Sequence, residues 1–328
     1  MTARHESTRS AFIDALLQAG SIPNSDIVVV AADSHSRYGD FVKRFPERSF
    51  NVGIAEQTMI GVAAGLALIG KTVVTTAYAN FLTFRALEQI RVDIAAEKLN
   101  VKLVGTDTGF AAAWSGYTHL ALEDMAAIRA LPHIVIVDPA DAREAFEATC
   151  AILEYRGPVY LRLRGRQEEP SLPVYAGPFR IGEGKVLMEG RDVLLIACGS
   201  AVYESLKAAQ LLKETGRTAT VVDMATVKPL DVSLLLELAS SIPRVVTVEN
   251  HNITGGLGTA VAELLAEKAL GTRLLRLGLR NRFGTAGSEE MLKKEFRLDA
   301  EGIATSVKEF LDGGNKDENY YRRRPPGI

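Results

Sequence analysis

Residues 26–33, DIVVVAAD, form a short run of β-branched and small apolar side chains with an aspartate at each end. Such a run is typical of a strand that is buried on both faces of a parallel sheet. Apolar residues at helical spacing precede it at 12–17, and a second helical stretch follows at 55–69. The order helix, strand, helix indicates the βαβ units of an α/β fold.

The same alternation extends along the rest of the chain and predicts two doubly wound α/β domains. In the first half, strands are predicted at 72–76, 101–105, 134–137 and 159–163, with helices at 81–96, 121–130 and 141–153. In the second half, strands are predicted at 193–197, 219–223, 245–249 and 274–277, with helices at 202–215, 232–239, 259–270 and 302–311. Prolines and glycines interrupt the pattern between the halves. We therefore expect domains at 1–166 and 186–314, a linker at 167–185 and a flexible tail at 315–328.

Composition and charge exclude several classes of protein. The 328 residues include 38 basic and 40 acidic side chains, for a formal net charge of −2, which gives no reason to expect nucleic acid or an anionic membrane as a partner. No apolar run approaches the roughly 20 residues of a membrane span, and the N-terminus does not resemble a secretory signal. The two cysteines, Cys150 and Cys198, make neither a zinc site nor a disulfide framework, so a reducing cytoplasm is the expected setting.

Ligands of open α/β sheets bind beyond the carboxyl ends of the strands, and this rule selects the candidate site. The selected segments are 33–37, 51–56, 77–84, 106–119, 162–166 and 250–258. Three of the five histidines fall within them. The glycines of 250–258 match neither a dinucleotide-binding nor a P-loop pattern, so a tight turn that serves packing is the safer interpretation.

Each selected side chain also has a purely structural interpretation. Glu56 opens a helix, where a carboxylate suits the helix dipole. Phe81 and Phe84 share a helix face, which fits core packing as well as a shelf for a flat ring. His119 lies in a glycine-containing loop, where function is common. Arg162, Arg164 and Arg166 alternate on one side of a strand; they could be solvated, paired with nearby acids, or bound to an anionic substrate.

Taken in order, these segments resemble the C-terminal two-thirds of a transketolase over nearly the whole chain. The phrases that carry the resemblance are FNVGIAEQTMIGVAAGLAL (50–68), ANFLTF (79–84), SGYTHLALEDMAAIRALP (115–132), VIVDPAD (135–141), PVYLRLRGR (158–166), VVDMATVKPLD (221–231) and VTVENHNITGGLG (246–258). The resemblance implies a thiamine diphosphate enzyme of carbohydrate metabolism. Residues 1–166 then correspond to the pyrimidine-binding domain and residues 186–314 to the family's C-terminal domain.

The family's remaining domain holds the diphosphate through a metal ion, with a Gly-Asp-Gly motif that this chain lacks. The nearest string is Tyr38-Gly-Asp-Phe41. The resemblance therefore implies one half of a split transketolase. Its partner, the diphosphate-binding subunit, would hold Mg²⁺ (or Ca²⁺), in an expected α2β2 heterotetramer.

The resemblance assigns cofactor and catalytic roles to individual residues. Glu56 matches the glutamate that donates to N1′ of the aminopyrimidine and so stabilises the tautomer that activates the thiazolium carbon. Phe81 and Phe84 match aromatics that line the pyrimidine pocket, and Asp33 matches an acid near the cofactor. His119 matches a histidine that contacts sugar hydroxyls and assists proton movement.

The residues at substrate-contacting positions depart from the family pattern. Ser115 stands where an aspartate is usual, Thr106 where a histidine is expected, and Arg37 where a serine is expected. A Ser-Arg pair is replaced by Arg162, Arg164 and Arg166. We expect ketol transfer on an unusual, phosphorylated or otherwise anionic sugar, bound by Arg37 and these three arginines.

Three alternatives stay open. The β subunit of a 2-oxo acid dehydrogenase E1 component shares this domain pair. A relative of 1-deoxyxylulose 5-phosphate synthase would have a similar arginine-glycine strand end, matched here by Arg164-Gly165. A catalytically silent interaction subunit is the third, although the presence of Glu56 and His119 argues against it.

Overall fold

The computed structural model describes residues 7–33, 35–165, 170–172 and 178–313. Arg166, residues 167–169 and 173–177 of the expected linker, and the expected tail at 315–328 therefore lie outside the described residues. The strands are β1 (Ile27–Ala31), β2 (Ser49–Asn51), β3 (Thr72–Tyr78), β4 (Val101–Thr106), β5 (Val135–Val137), β6 (Val159–Leu163), β7 (Lys185–Met188), β8 (Val193–Ala197), β9 (Ala219–Asp223), β10 (Thr226–Lys228), β11 (Arg244–Asn252) and β12 (Arg273–Leu279).

The helices cover both sheets. They are α1 (Thr8–Gly20), α2 (Asp40–Arg44), α3 (Glu56–Leu68), α4 (Ala79–Arg85), α5 (Leu87–Gln89), α6 (Asp124–Arg129), α7 (Ala142–Glu154), α8 (Ala201–Glu214), α9 (Val232–Ser241), α10 (Leu257–Glu267), α11 (Glu289–Glu295) and α12 (Ala300–Leu311). A π-helical segment, Ile90–Ala96, follows α5, and a 3₁₀ segment, Ala113–Thr118, lies between β4 and α6. None of the described helices has the length and apolar character needed to cross a bilayer.

The strands form two sheets in which parallel pairing dominates. The first has seven strands in the order β10-β5-β6-β4-β3-β1-β2, and the second has five in the order β12-β11-β8-β9-β7. Within each sheet one edge strand is antiparallel: β10 pairs with β5, and β7 pairs with β9. This architecture confirms the predicted α/β fold class. Because β10 comes from the second half of the chain, that half completes the sheet of the first.

Local sequence signals explain where several helices begin. The Asp141 carboxylate accepts a hydrogen bond from the Glu144 backbone N–H at 2.8 Å at the start of α7, and Asp299 caps α12 in the same way. One apolar cluster contains Val73 and Leu103 of the first sheet together with Leu194 of the second. The two sheets therefore share a core.

Candidate active site

The candidate site lies at the carboxyl ends of β1, β3 and β4, which are neighbours in the first sheet in the order β4-β3-β1. The parallel pairing brings the segments that follow these strands to one edge. That edge collects Asp33 after β1, the start of α4 after β3, and residues 107–119 after β4. The fold thus brings several of the segments that the strand-end rule selects to one edge of the first sheet.

Glu56 is the first residue of α3, and its carboxyl group is buried. A turn at Asn51–Gly53 places it there: the Asp33 backbone N–H donates to the Gly53 carbonyl at 2.9 Å, and Gly53, at φ +76°, is in the left-handed region that favours glycine. Nη1 of Arg85 lies 3.3 Å from both Glu56 oxygens. The same guanidinium covers the Phe81 ring at 3.8 Å, so the buried carboxylate and the aromatic ring lie side by side.

Three rings meet edge to face beside Glu56. The centroids of Tyr78, Phe81 and His119 are separated by 5.6 Å (Tyr78–Phe81), 5.3 Å (Tyr78–His119) and 5.0 Å (Phe81–His119). Phe84, on the same helix as Phe81, is 51% exposed, so one aromatic face is available to a ligand. The predicted residues Glu56, Phe81, Phe84 and His119 therefore gather on one edge, and Tyr78 joins them without having been predicted.

The His119 ring has a defined orientation. Its Nδ1 lies 2.9 Å from the Thr118 hydroxyl, which itself donates to the Ser115 carbonyl at 3.0 Å. The Asn80 side chain donates to the Thr118 carbonyl at 2.7 Å and ties this loop to α4. Ser115 is half-buried and contributes through its backbone to the position of His119.

Arg37 lies at this edge, and its side chain is only 5% exposed. Nη1 donates to the Thr106 hydroxyl at 2.6 Å and lies 3.6 Å from the Asp107 carboxylate, while Nη2 lies 3.8 Å from the Asp33 carboxylate. The guanidinium carbon is 4.2 Å from the Tyr78 ring centroid. The structure thus brings Asp33 and Arg37 together at this edge, but it surrounds the arginine with protein groups. Asp107 joins them; its position directly after a buried strand was the signal that could have identified it.

Arg162 is placed in a buried ionic network instead of the cleft. Its Nε donates to Asp124 at 2.8 Å, its Nη1 donates to Asp138 at 2.6 Å, and the Tyr160 hydroxyl also donates to Asp124. Burial alone would raise the pKa of Asp124, but the Arg162 charge holds it below its ordinary value. Burial outweighs the same charge at Asp138 and raises its pKa. With 2% of the side chain exposed, Arg162 offers no surface to a substrate, which does not support its predicted substrate role.

Arg164 also has a carboxylate partner, but it lines an open cavity. Its Nη2 donates to the two Glu289 carboxylate oxygens at 2.7 and 2.8 Å. The cavity has a volume of about 560 Å³ and includes Trp114 and Lys293 in its lining. Of the three predicted arginines, Arg164 is the one that the structure places next to open space, and Arg166 lies outside the described residues.

The glycine-rich loop after β11 is filled by protein groups, as its structural interpretation predicts. Glu249 accepts hydrogen bonds from the backbone N–H groups of Leu257 and Gly258 at 2.8 and 2.9 Å. Burial raises the pKa of Glu249 to about 7. Burial also lowers the pKa of the neighbouring His251 to about 4, so this histidine is neutral at pH 7.

The site fits an aminopyrimidine ring. The buried Glu56 carboxyl group and the Phe81 ring contact the same Arg85 guanidinium, and Phe84 on the same helix is exposed, so this edge offers a hydrogen-bonding group and aromatic surfaces to a flat heterocycle. Among the described residues, no group of three or more histidine, cysteine, aspartate or glutamate side chains is arranged to hold a metal ion.

Comparison with known proteins gives a consistent result. Residues 7–168 match the family profile "Transketolase, pyrimidine binding domain", and residues 182–303 match "Transketolase, C-terminal domain". A putative transketolase C-terminal section from Methanocaldococcus jannaschii is 41% identical over 93% of this chain and 96% of its own length. One subunit of an apulose-4-phosphate transketolase from Phocaeicola vulgatus is 37% identical over 92% of this chain and 97% of its own. The solved structure of a split gene transketolase, described as an inactive beta4 tetramer, is 40% identical, covers 95% of this chain and all of its own, and superposes with a TM-score of 0.84.

Proposed function

The chain belongs to the transketolase family, and we propose that it is the subunit that supplies the catalytic glutamate for two-carbon ketol transfer between sugars. The observation that carries the proposal is the buried Glu56 carboxyl group beside Phe81, at the edge of the sheet where His119 also lies. A silent interaction subunit would have no need to bury a carboxyl group near an exposed aromatic side chain.

Members of this family use thiamine diphosphate, which supplies the electron sink for breaking and forming the carbon–carbon bond. We assign three groups of this chain to its aminopyrimidine ring. Glu56 holds a proton for the ring atom N1′, and Phe81 and Phe84 pack against the ring faces. Asp33, which is 48% exposed at the end of β1, faces the same edge and is assigned to the cofactor as well.

His119 is assigned to proton transfer at the sugar hydroxyls. The Thr118 hydroxyl has one proton and donates it to the Ser115 carbonyl, so it accepts a hydrogen bond from His119 Nδ1–H. That bond fixes the tautomer in which Nε2 carries the free electron pair. Nε2 is then the atom that accepts a proton from a sugar hydroxyl and returns it.

The remaining parts of the active site are assigned to a partner chain. We propose that the diphosphate-binding subunit holds Mg²⁺ or Ca²⁺ and the diphosphate, in an α2β2 assembly. The names of two relatives support this assignment, since one is called a C-terminal section and the other a transketolase subunit. The free thiols Cys150 and Cys198 support a reducing, cytoplasmic setting.

Arg164 is the arginine that we assign to an anionic substrate group. It lines the cavity beside Trp114, and Ser115 follows in the same loop. Binding there requires the substrate to compete with Glu289 for the guanidinium, so recognition would be selective for a strong anion such as a phosphate.

The test is a Glu56→Gln variant in the complex with the diphosphate-binding subunit, thiamine diphosphate and Mg²⁺, assayed with xylulose 5-phosphate and a panel of aldose phosphates. We expect turnover to fall by about 10²–10⁴, because glutamine cannot exchange a proton with N1′. Glu309→Gln is the matched control: Glu309 pairs with Arg297 at 3.4 Å on α12, in the second half of the chain. Unchanged turnover in Glu56→Gln would refute the catalytic role of Glu56.

A further inference from the structure

Two carboxylates share one buried guanidinium at the edge of the first sheet, and Asp33, Asp107 and Arg37 are called the trio below. Asp33 and Asp107 each lie within 4 Å of Arg37, at 3.8 and 3.6 Å. Asp33 is 48% and Asp107 24% exposed, whereas Arg37 is 5% exposed. A ligand that enters this edge therefore meets carboxylate oxygens first, and the Arg37 guanidinium lies behind them. One positive and two negative groups give the trio a formal charge of −1.

The hydrogen-bonding capacity of the trio fits a hydroxyl group. The buried Nε of Arg37 has no acceptor among the described residues, although Nη1 donates to Thr106. A hydroxyl can donate to an aspartate and accept from a guanidinium, whereas a phosphate dianion can only accept and is repelled by both carboxylates. The exposed acceptors of Asp33 and Asp107 thus match the hydroxyls of a polyol.

The backbone and the neighbouring strand hold Asp107 in place. Its φ is +60°, and that of Asp33 is +73°, both in the left-handed region that is uncommon for residues other than glycine, although asparagine and aspartate are enriched there. Gly165, after β6, leaves room for the carboxylate, since a Cβ there would lie 2.9 Å from Asp107 Oδ1. Arg37 and this gap together determine where the carboxylate lies.

The trio is continuous with the catalytic groups. The Tyr78 ring contacts Arg37 on one side at 4.2 Å and the rings of Phe81 and His119 on the other. Tyr78 therefore connects His119 to Arg37, and Arg37 in turn contacts Asp107, so the trio is the next polar group along this edge from His119.

We propose that Asp107 is a specificity-determining residue that accepts hydrogen bonds from hydroxyls of the sugar chain, and that Arg37 acts as its positioning residue. This inference rests on the proposed function. It names the substrate class preferred at this edge: a sugar with free hydroxyls, and not a phosphate group, contacts the ends of β1 and β4. Any anionic end lies toward Arg164 instead.

The test compares ribose with ribose 5-phosphate as acceptors, in the complex with the diphosphate-binding subunit. In Asp107→Asn we expect kcat/KM for ribose to fall about tenfold, mostly through KM, because a charged hydrogen-bond acceptor is lost. We expect kcat/KM for ribose 5-phosphate to be unchanged or to rise, because one repelling charge is gone. The quantity to compare is the ratio of kcat/KM for ribose to kcat/KM for ribose 5-phosphate. Asparagine and glycine both tolerate the left-handed backbone, so Asp107→Gly is a second variant that should lower this ratio as well.

Asp312→Asn is the matched control. Asp312 is an exposed aspartate in the second half of the chain that pairs with Arg217 at 3.0 Å, so this variant should show the wild-type ratio of the two kcat/KM values. An unchanged ratio in both Asp107 variants, or equal losses for both acceptors with kcat reduced, overturns the inference. If the wild type turns over and Glu56→Gln does not, such a result refutes only the Asp107 role. If the wild type transfers no ketol unit to either acceptor, the proposed function fails with it.

Discussion

Replacing Arg162 with methionine tests whether this arginine of β6 stabilises the fold or binds substrate. Methionine keeps an unbranched apolar stem but removes the guanidinium that donates to Asp124 and Asp138 at 2.8 and 2.6 Å. All three side chains are buried, so the two carboxylates would lose their counter-charge without gaining water. Breaking a buried ion pair in this way costs about 3–5 kcal/mol.

The size and pH dependence of the loss follow from these contacts. For a chain of this length, each kcal/mol corresponds to about 2 °C, so the thermal midpoint should fall by roughly 6–10 °C. Burial already raises the pKa of Asp138, and removal of Arg162 raises the pKa of both carboxyl groups further. As the pH falls these groups take up protons in the folded variant, so the difference from the wild type should be smaller at pH 5 than at pH 7.5.

Calorimetry of the chain at both pH values measures the effect, with Arg164→Met as the comparison. Arg164 pairs with Glu289 where both side chains retain partial exposure, 14% and 13%, so its loss should destabilise less. A stability loss below about 1 kcal/mol for Arg162→Met, accompanied by a raised KM for substrate, would refute the reasoning and return Arg162 to the substrate site.

Two further predictions concern the helix of Glu56 and the buried pair after β11. A Cβ at Gly65 would meet no atom within 4 Å, so Gly65→Ala should stabilise the chain by about 0.5–1 kcal/mol in thermal unfolding, and a loss of stability would contradict the open helix face. Burial lowers the pKa of His251 to about 4, so unfolding takes up a proton between there and the ordinary value of 6.5, and stability falls as the pH drops through this window. Burial raises the pKa of Glu249 to about 7, so unfolding releases a proton above 4.5, and stability falls as the pH rises toward 7. Urea unfolding across pH 4.5–6.5 should therefore show a more negative slope of stability against pH in His251→Gln than in the wild type and a more positive slope in Glu249→Gln; parallel curves would refute both pKa shifts.

Most of the fold could be predicted because its signals are local. The strands at 159–163, 193–197 and 219–223 begin and end as predicted, since each is a short run of mainly apolar or β-branched residues. Strands β2 and β10, with three residues each, carry no periodicity that a pattern could detect. The pairing of β10 with β5 joins residues about 90 positions apart and depends on packing that no local signal encodes.

For the candidate site, too, the sequence predicts the residues but not all of their contacts. Position at a strand end and the family resemblance together identified Glu56 and His119, which the structure brings to one edge. The alternation of Arg162 and Arg164 predicts that both lie on one side of the strand, but alternation does not reveal which counter-charges approach each arginine. Asp124 and Asp138 come from other segments, and their carboxylates neutralise Arg162 in the interior.

The topology explains why the arginines and the ligand edge are separated. Strand β6 lies between β4 and β5, and β5 pairs on its other edge with β10 from the second half. The second half therefore packs against the end of β6: the Asp138 backbone N–H donates to the Ala225 carbonyl, and Arg164 pairs with Glu289 of α11. Carboxylates of the first half neutralise Arg162, and a carboxylate of the second half neutralises Arg164. The ends of β1, β3 and β4 lie farther from β10 in the strand order, and there Asp33, Tyr78 and Asp107 keep the exposure that a substrate needs.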